Sequence, residues 1–170
     1  MKMGNKPDWL PNLVEIAEYN GNWDKYLDAI YQIFRHDFID DQPIFRGCVV
    51  NALKPEIIQG KEATFWHIIE EGEIEEDRNP DFERCKRIRW PRSIIEKGVV
   101  DPVLQLWETS RGRDHRILIR LIFTDNDYLV VLVRHRGNIY LLTAYLVTWP
   151  NQKRKLNDEY EAYKKANAAF

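Results

Sequence analysis

The sequence predicts an α+β fold: N-terminal helices packed on a twisted antiparallel β-sheet of four or more strands, with a C-terminal helix closing the chain. Three observations predict it. Apolar residues early in the chain recur at spacings of three and four, the period of a helix with one buried face. Residues 103–147 break into short runs rich in β-branched and aromatic side chains, punctuated by turn residues. Beyond Pro150 the pattern returns to a charged helix.

Taken in order, residues 23–39 place Tyr26, Leu27, Ile30, Ile33, Phe34 and Phe38 on one helical face, with Asn22 as a plausible N-cap. Pro43 stops that helix, and residues 43–53 read as a strand by their branched and aromatic content. A turn-like segment at 54–60 leads into a helix over 63–72, where Phe65, Ile68 and Ile69 share a side and Gly72 terminates. Pro80 near N1 starts another helix through Phe82, Cys85 and Ile88, and Pro91 ends or bends it close to Arg89. Residues 93–97 add a short helix. Strands are expected at 103–107, 116–123, 128–134 and 138–147, separated by Gly112, Asp125-Asn126-Asp127 and Arg136-Gly137. Leu156, Tyr160 and Tyr163 mark the closing helix.

With 170 residues, 44% of them hydrophobic and 12% aromatic, the chain is expected to fold as a single domain spanning 1–170. Within it, 1–62 would form an N-terminal helix and strand, 63–150 a core and 151–170 the closing helix. No apolar run reaches the roughly 20 residues of a spanning helix and no secretory signal is evident, so no membrane partner and a cytoplasmic location are expected. Cys48 and Cys85 match no metal spacing, and neither a metal nor a cofactor is expected. P-loop, nucleophile-elbow and HExxH motifs are absent, which excludes the enzyme classes built on them. The formal net charge of −2 hides a steep asymmetry, with residues 70–77 nearly all acidic and 84–97 predominantly basic.

Strand alternation assigns faces to the candidate residues. In the last strand Leu142, Ala144 and Leu146 point one way and Leu141, Thr143, Tyr145 and Val147 the other; in 116–123, Arg116 and Arg120 sit with Leu118 and Ile122 opposite an apolar face. If the two polar faces lie on one side of the sheet, opposite the helical layer, guanidinium and hydroxyl groups gather as a phosphate would require. Taken singly, each residue more often belongs to an ordinary half-exposed surface. His67, among Trp66, Ile68 and Ile69, is more often a structural histidine, yet imidazole titrates near neutrality and can take and return protons. His36, His115 and His135 have weaker claims. The run Arg84, Lys86, Arg87, Arg89 and Arg92, with Trp90 interleaved, fits a solvated face or a surface that stacks bases and holds phosphates of single-stranded RNA.

The order "WHII", then "RCKRIRWPRSIIE", then a meander ending in "YLLTAYLV", resembles the metal-independent ribonuclease and toxin class of the barnase, EndoU, colicin and RelE type, nearest its toxin-like and phage-associated branches. The likeness spans residues 65–147. It implies an RNA-binding sheet face and cleavage by the substrate's own 2′-hydroxyl. It further implies His67 as general acid/base, Thr143 and Tyr145 as hydroxyl residues of the last strand, and Arg89 or Arg120 at the cationic position. From the basic run and the strand face, Arg84, Arg87, Trp90, Arg92 and Arg116 are the residues expected to bind substrate. The second histidine common in several branches has no counterpart near His67. The resulting expectation is an endoribonuclease acting on RNA such as tRNA, in the manner of a toxin held by a cognate antitoxin or immunity protein. A non-catalytic RNA-binding protein and a protein-interaction module are the alternatives.

Overall fold

The computed structural model describes residues 4–71 and 79–168. The fold is α+β as expected, with five α-helices and a curled six-stranded sheet among the described residues. Helix α1 (Trp23–Arg35) opens with the Asn22 side chain accepting from the Lys25 N–H at 3.1 Å, and passes without a break into a π-turn at His36–Asp40. The expected strand at 43–53 is instead a tight hairpin, β1 (Ile44–Phe45) and β2 (Cys48–Ala52). Arg46 and Gly47 both adopt positive φ, the geometry a two-residue reversal needs. A small ribbon, β3 (Ile57–Ile58) with β4 (Lys61–Glu62), leads into α2 (Ala63–Ile69).

Helix α2 ends before the expected Gly72, which lies outside the described residues, because Glu70 and Glu71 form β5 and pair with β6 (Asn79–Pro80). Pro80 therefore lies in a strand, and Asp81 caps α3 (Phe82–Lys86) by accepting from the Glu83 N–H at 2.8 Å. Pro91 falls in the first turn of α4 (Trp90–Lys97), where its missing N–H costs nothing. The meander β7 (Gln105–Arg111), β8 (Asp114–Phe123), β9 (Asn126–His135) and β10 (Asn138–Leu146) follows, and α5 (Pro150–Asn167) closes the chain.

Strand order is β1-β2-β10-β9-β8-β7. The meander is antiparallel as expected, but β2 joins it parallel to β10, with Val50 opposite Ile139, so the sheet is mixed. Its first face carries Ile117, Ile119, Leu121, Val130, Leu132 and Leu141, buried against Phe34 of α1, Phe65 of α2 and Ile94 of α4. On the second face Trp107, Leu118, Leu129 and Val131 pack under α5 through Leu156, Tyr160 and Tyr163. Each face thus has its own apolar core, and the sheet is the wall between them. No helix among the described residues is long and apolar enough to cross a membrane.

One departure from alternation decides how β10 presents its side chains. The register slips between Leu141 and Thr143, a β-bulge at Leu142. Before it Leu141 belongs to the first face, and after it Ala144 takes that face over. The expectation that Leu141 shares a face with Thr143 and Tyr145 is corrected accordingly.

Arg120 holds the second face together. Although charged, it is only 2% exposed. Its Nε and Nη2 donate to the two carboxylate oxygens of Asp127 at 2.7 and 2.6 Å, and its Nη1 donates to Asn157 of α5 at 2.6 Å. A forked pair buried this deeply is strongly asymmetric: removing one member strands the other charge without a counterion. Asp127→Ala is therefore expected to destabilise the protein by about 3–5 kcal/mol in chemical denaturation. An effect below about 1 kcal/mol would show that Arg120 is not clamped as described.

Candidate functional site

Cross-strand register answers the question the sequence left open. Arg120 lies opposite Leu129, which lies opposite Tyr145; Leu118, Val131 and Thr143 form the next row, and Arg116, Val133 and Tyr140 another. Directly opposed residues point to the same side of a sheet. Arg116, Arg120, Thr143 and Tyr145 therefore share the second face, away from the main helical layer. Helix α5 lies across that face and divides it.

Where α5 begins, Tyr145 becomes the centre of a groove. The Arg84 guanidinium sits 5.2 Å from the Tyr145 ring centroid, and the Tyr145 hydroxyl accepts from Gln152 Nε2 at 2.8 Å. On one side lies an open cleft of about 750 Å³ lined by Arg84, Tyr145, Thr148, Trp149 and Gln152 together with the carboxylates Glu71, Asp81 and Glu83. On the other side lies a slot of about 120 Å³ lined by Arg116, Tyr145, Gln152 and Lys155 over the apolar floor of Leu118, Leu129 and Val131. Tyr145 and Gln152 line both, so cleft and slot adjoin at this hydrogen-bonded pair. The Nε of Arg116 is buried and without a hydrogen-bond partner among the described residues.

The carboxylates of the open cleft are partly occupied by cations of the fold. Glu83 bonds Arg87 at 2.7 Å and Lys86 at 3.3 Å, and the Arg87 bond holds its carboxyl below the usual range despite partial burial. Asp81 lies 4.0 Å from Arg84 and also serves as the α3 cap. Trp149 at the lip is 72% exposed, the largest apolar group so displayed.

The other expected residues do not join this groove. Arg120 is committed to Asp127 and Asn157, so it does not reach a surface phosphate. Arg87 is buried, spans Glu83 and Asn126, and lies 4.9 Å over the Trp90 ring. Trp90 is itself buried, with its indole N–H on the Pro11 carbonyl at 2.9 Å and an edge contact to Tyr128, so it offers no face to a base. Arg92 bonds Glu96 at 2.9 Å and braces the π-turn through Asp41 and the Asp37 carbonyl. Arg89 is exposed in a separate cleft with His36, Asp37 and Ser93.

His67 is the largest correction. It sits on α2, whose Phe65, Ile68 and Ile69 are buried in the first core, and it lines a cleft with Trp23, Asp24 and Trp66. The first core and the sheet separate it from Thr143. The expected convergence of imidazole, arginine and threonine hydroxyl does not form. His67 is nevertheless near the groove in one respect: Glu70 and Pro80 line its cleft while their neighbours Glu71 and Asp81 line the Tyr145 cleft, so the β5–β6 ribbon is the partition between the two.

Sequence reasoning missed Gln152, Lys155, Trp149 and Asp127. Gln152 and Lys155 stand three apart at the start of α5, which puts both on one helix face and was a usable signal. Asp127 was taken only as part of a turn. Of the remaining histidines, His115 bonds Glu108 at 3.1 Å and His36 bonds Asp37 at 3.1 Å, local pairs remote from the groove.

No protein family matches the sequence, and neither a curated protein nor a solved structure matches it.

Asp37 supplies a test of the π-turn that positions Arg92. Burial raises its carboxyl above the usual value, only partly offset by His36 and Arg92. A carboxyl whose folded pKa exceeds its unfolded one binds protons more tightly when folded, so this group's contribution falls as pH rises from the ordinary aspartate range through the raised value. Denaturation of the protein and of Asp37→Asn across that window is expected to show a declining component in the former that the variant lacks. Equal pH profiles would remove the assignment.

Proposed function

We propose that this protein binds single-stranded RNA in the groove along the start of α5. The observation that supports this best is the position of Tyr145, which links a cleft bearing Arg84 and Trp149 to a slot bearing Arg116 and Lys155. Arginine and lysine meet phosphates, Trp149 offers an exposed ring on which a base stacks, and Gln152 and Thr148 supply neutral hydrogen bonds. A narrow groove with alternating cations and rings suits an unpaired strand better than a duplex, whose bases are already stacked.

A second reading, metal-independent cleavage of RNA such as tRNA, is favoured by one specific observation: Thr143, Tyr145 and Arg116 share the face that the ribonuclease and toxin class implies. In that chemistry the 2′-hydroxyl attacks the phosphorus, the 5′-oxygen departs with a proton, and a 2′,3′-cyclic phosphate remains. Hydroxyl and cationic donors of the groove would stabilise the phosphorane. The proton carrier would have to be a groove residue, since His67 lies beyond the core. A toxin role restrained by an antitoxin or immunity protein belongs to this second reading.

Both readings are tested with a labelled unstructured RNA oligonucleotide. Arg116→Ala combined with Lys155→Ala is expected to weaken binding about tenfold and to flatten its salt dependence. Trp149→Ala is expected to cost about 1–3 kcal/mol of binding with the salt slope unchanged. His67→Ala is expected to leave affinity for a guanine-free oligonucleotide within about twofold, because it lines neither the cleft nor the slot of the groove. Absence of RNA binding by the unsubstituted protein would overturn the proposal. Products with cyclic phosphate ends formed in EDTA, lost in Tyr145→Phe or Thr143→Ala and retained in His67→Ala, would establish the second reading.

A further inference from the structure

The cleft that holds His67 has no part in the groove, yet it encloses about 530 Å³ of its own. Two of its walls are indoles held in place. The Trp66 N–H donates to the Ile58 carbonyl at 2.8 Å, tying the ring to the β3–β4 ribbon. Trp23 meets Phe82 edge-on at 5.6 Å and Tyr26 at 6.0 Å. Leu27 and Ile58 extend the apolar lining, and Gln59, at positive φ in the ribbon's turn, adds an amide to it. Rigid aromatic walls favour a flat ring, because little side-chain entropy is lost on binding.

Polar groups at this cleft differ in character: the Asp24 and Glu70 carboxylates, which only accept, the Lys54 ammonium, which only donates, and the Gln59 amide and His67 imidazole, which can do both. Asp24 and Lys54 are exposed, and neither side chain makes a hydrogen bond or ion pair among the described residues. A lipid chain would leave these charges unanswered. A heteroaromatic ring with hydrogen-bonding edges uses both kinds of wall. A cavity of this volume lies in the range of small-ligand sites.

We propose that the cleft between α1, α2 and the β3–β4 ribbon is a nucleobase pocket, taking the ring of a guanine nucleotide between apolar walls with Asp24 on its edge and Lys54 toward its phosphate. Guanine presents adjacent N1–H and N2–H donors, which a carboxylate accepts in a forked pair. Uracil flanks its one ring N–H with two carbonyls, which a carboxylate repels. The nucleotide is either a free monophosphate or an unstacked residue of an RNA strand. In the second case the inference deepens the RNA-binding reading and rests on it, the base crossing the β5–β6 ribbon from the groove.

Titration calorimetry of the full chain with GMP, UMP and ribose 5-phosphate tests this. GMP is expected to bind with a dissociation constant below about 1 mM, UMP about tenfold more weakly, and ribose 5-phosphate not measurably. Asp24→Asn is expected to lower GMP affinity about tenfold and to erase the preference over UMP. Lys54→Gln is expected to weaken GMP but not guanosine. Both positions are exposed, and unchanged thermal melting of each variant would exclude unfolding as the cause. Failure of GMP to bind, or equal binding of GMP, UMP and ribose 5-phosphate, would overturn the proposal. Loss of a guanine preference within an RNA oligonucleotide on Asp24→Asn would identify the strand as the source. Loss confined to free GMP would identify the monophosphate. Arg116→Ala with Lys155→Ala weakens oligonucleotide binding and leaves GMP binding intact, so the groove and the pocket fail independently.

Discussion

The buried bond between Arg120 and Asp127 is the constraint on which the second face of the sheet depends. It joins β8 to β9 across their hairpin and, through Asn157, fixes where α5 crosses the sheet. Helix α5 is otherwise a polar helix with Leu156 as its one buried residue among those described. Apolar burial alone would hold such a helix loosely, since each fully buried aliphatic side chain contributes only about 1.5–3 kcal/mol. A directional polar anchor adds what burial does not, a fixed angle and register. The adjacency of the Tyr145 cleft and the Arg116 slot follows from that placement, because Gln152 and Lys155 reach the sheet only where α5 lies as it does.

The same interaction explains why an arginine that reads as a surface cation in the sequence has no surface to act on. Two features had to be known together: that Asp127 faces the same side as Arg120, and that α5 returns to cover them. The first follows from alternation across the hairpin. The second is tertiary and leaves no local mark. Arg87 and Trp90 teach a related lesson, for a basic run beside a tryptophan has the composition of a nucleic-acid surface whether or not its members point outward. Here they stack on one another beneath Glu83 and Asn126.

Strong periodicity carried the rest. The helix from Trp23, the four meander strands and the closing helix were legible because their apolar spacing is long and regular, and Asn22 was legible as a cap. The bulge at Leu142 was not, because inserting a residue leaves composition unchanged while reversing every later side chain. Thr143 and Tyr145 were nonetheless assigned to one face, since both lie after the insertion. The β1–β2 hairpin had a signal in Gly47 that the branched residues around it outweighed. His67 was read correctly as part of an amphipathic helix, but helical spacing cannot say which side of a distant strand that helix will cover.

The parallel seam between β2 and β10 has a consequence for how the chain is made. A ribosome delivers Cys48–Ala52 long before it delivers Asn138–Leu146, so the early strand waits, with the edge not paired to β1 open to water, until the meander is nearly complete. Closing so long a loop is entropically expensive, and the seam is expected to be among the last parts of the sheet to form. During that interval the exposed Val49 and Ile44 beside it are a place where a nascent chain can stick to its neighbours.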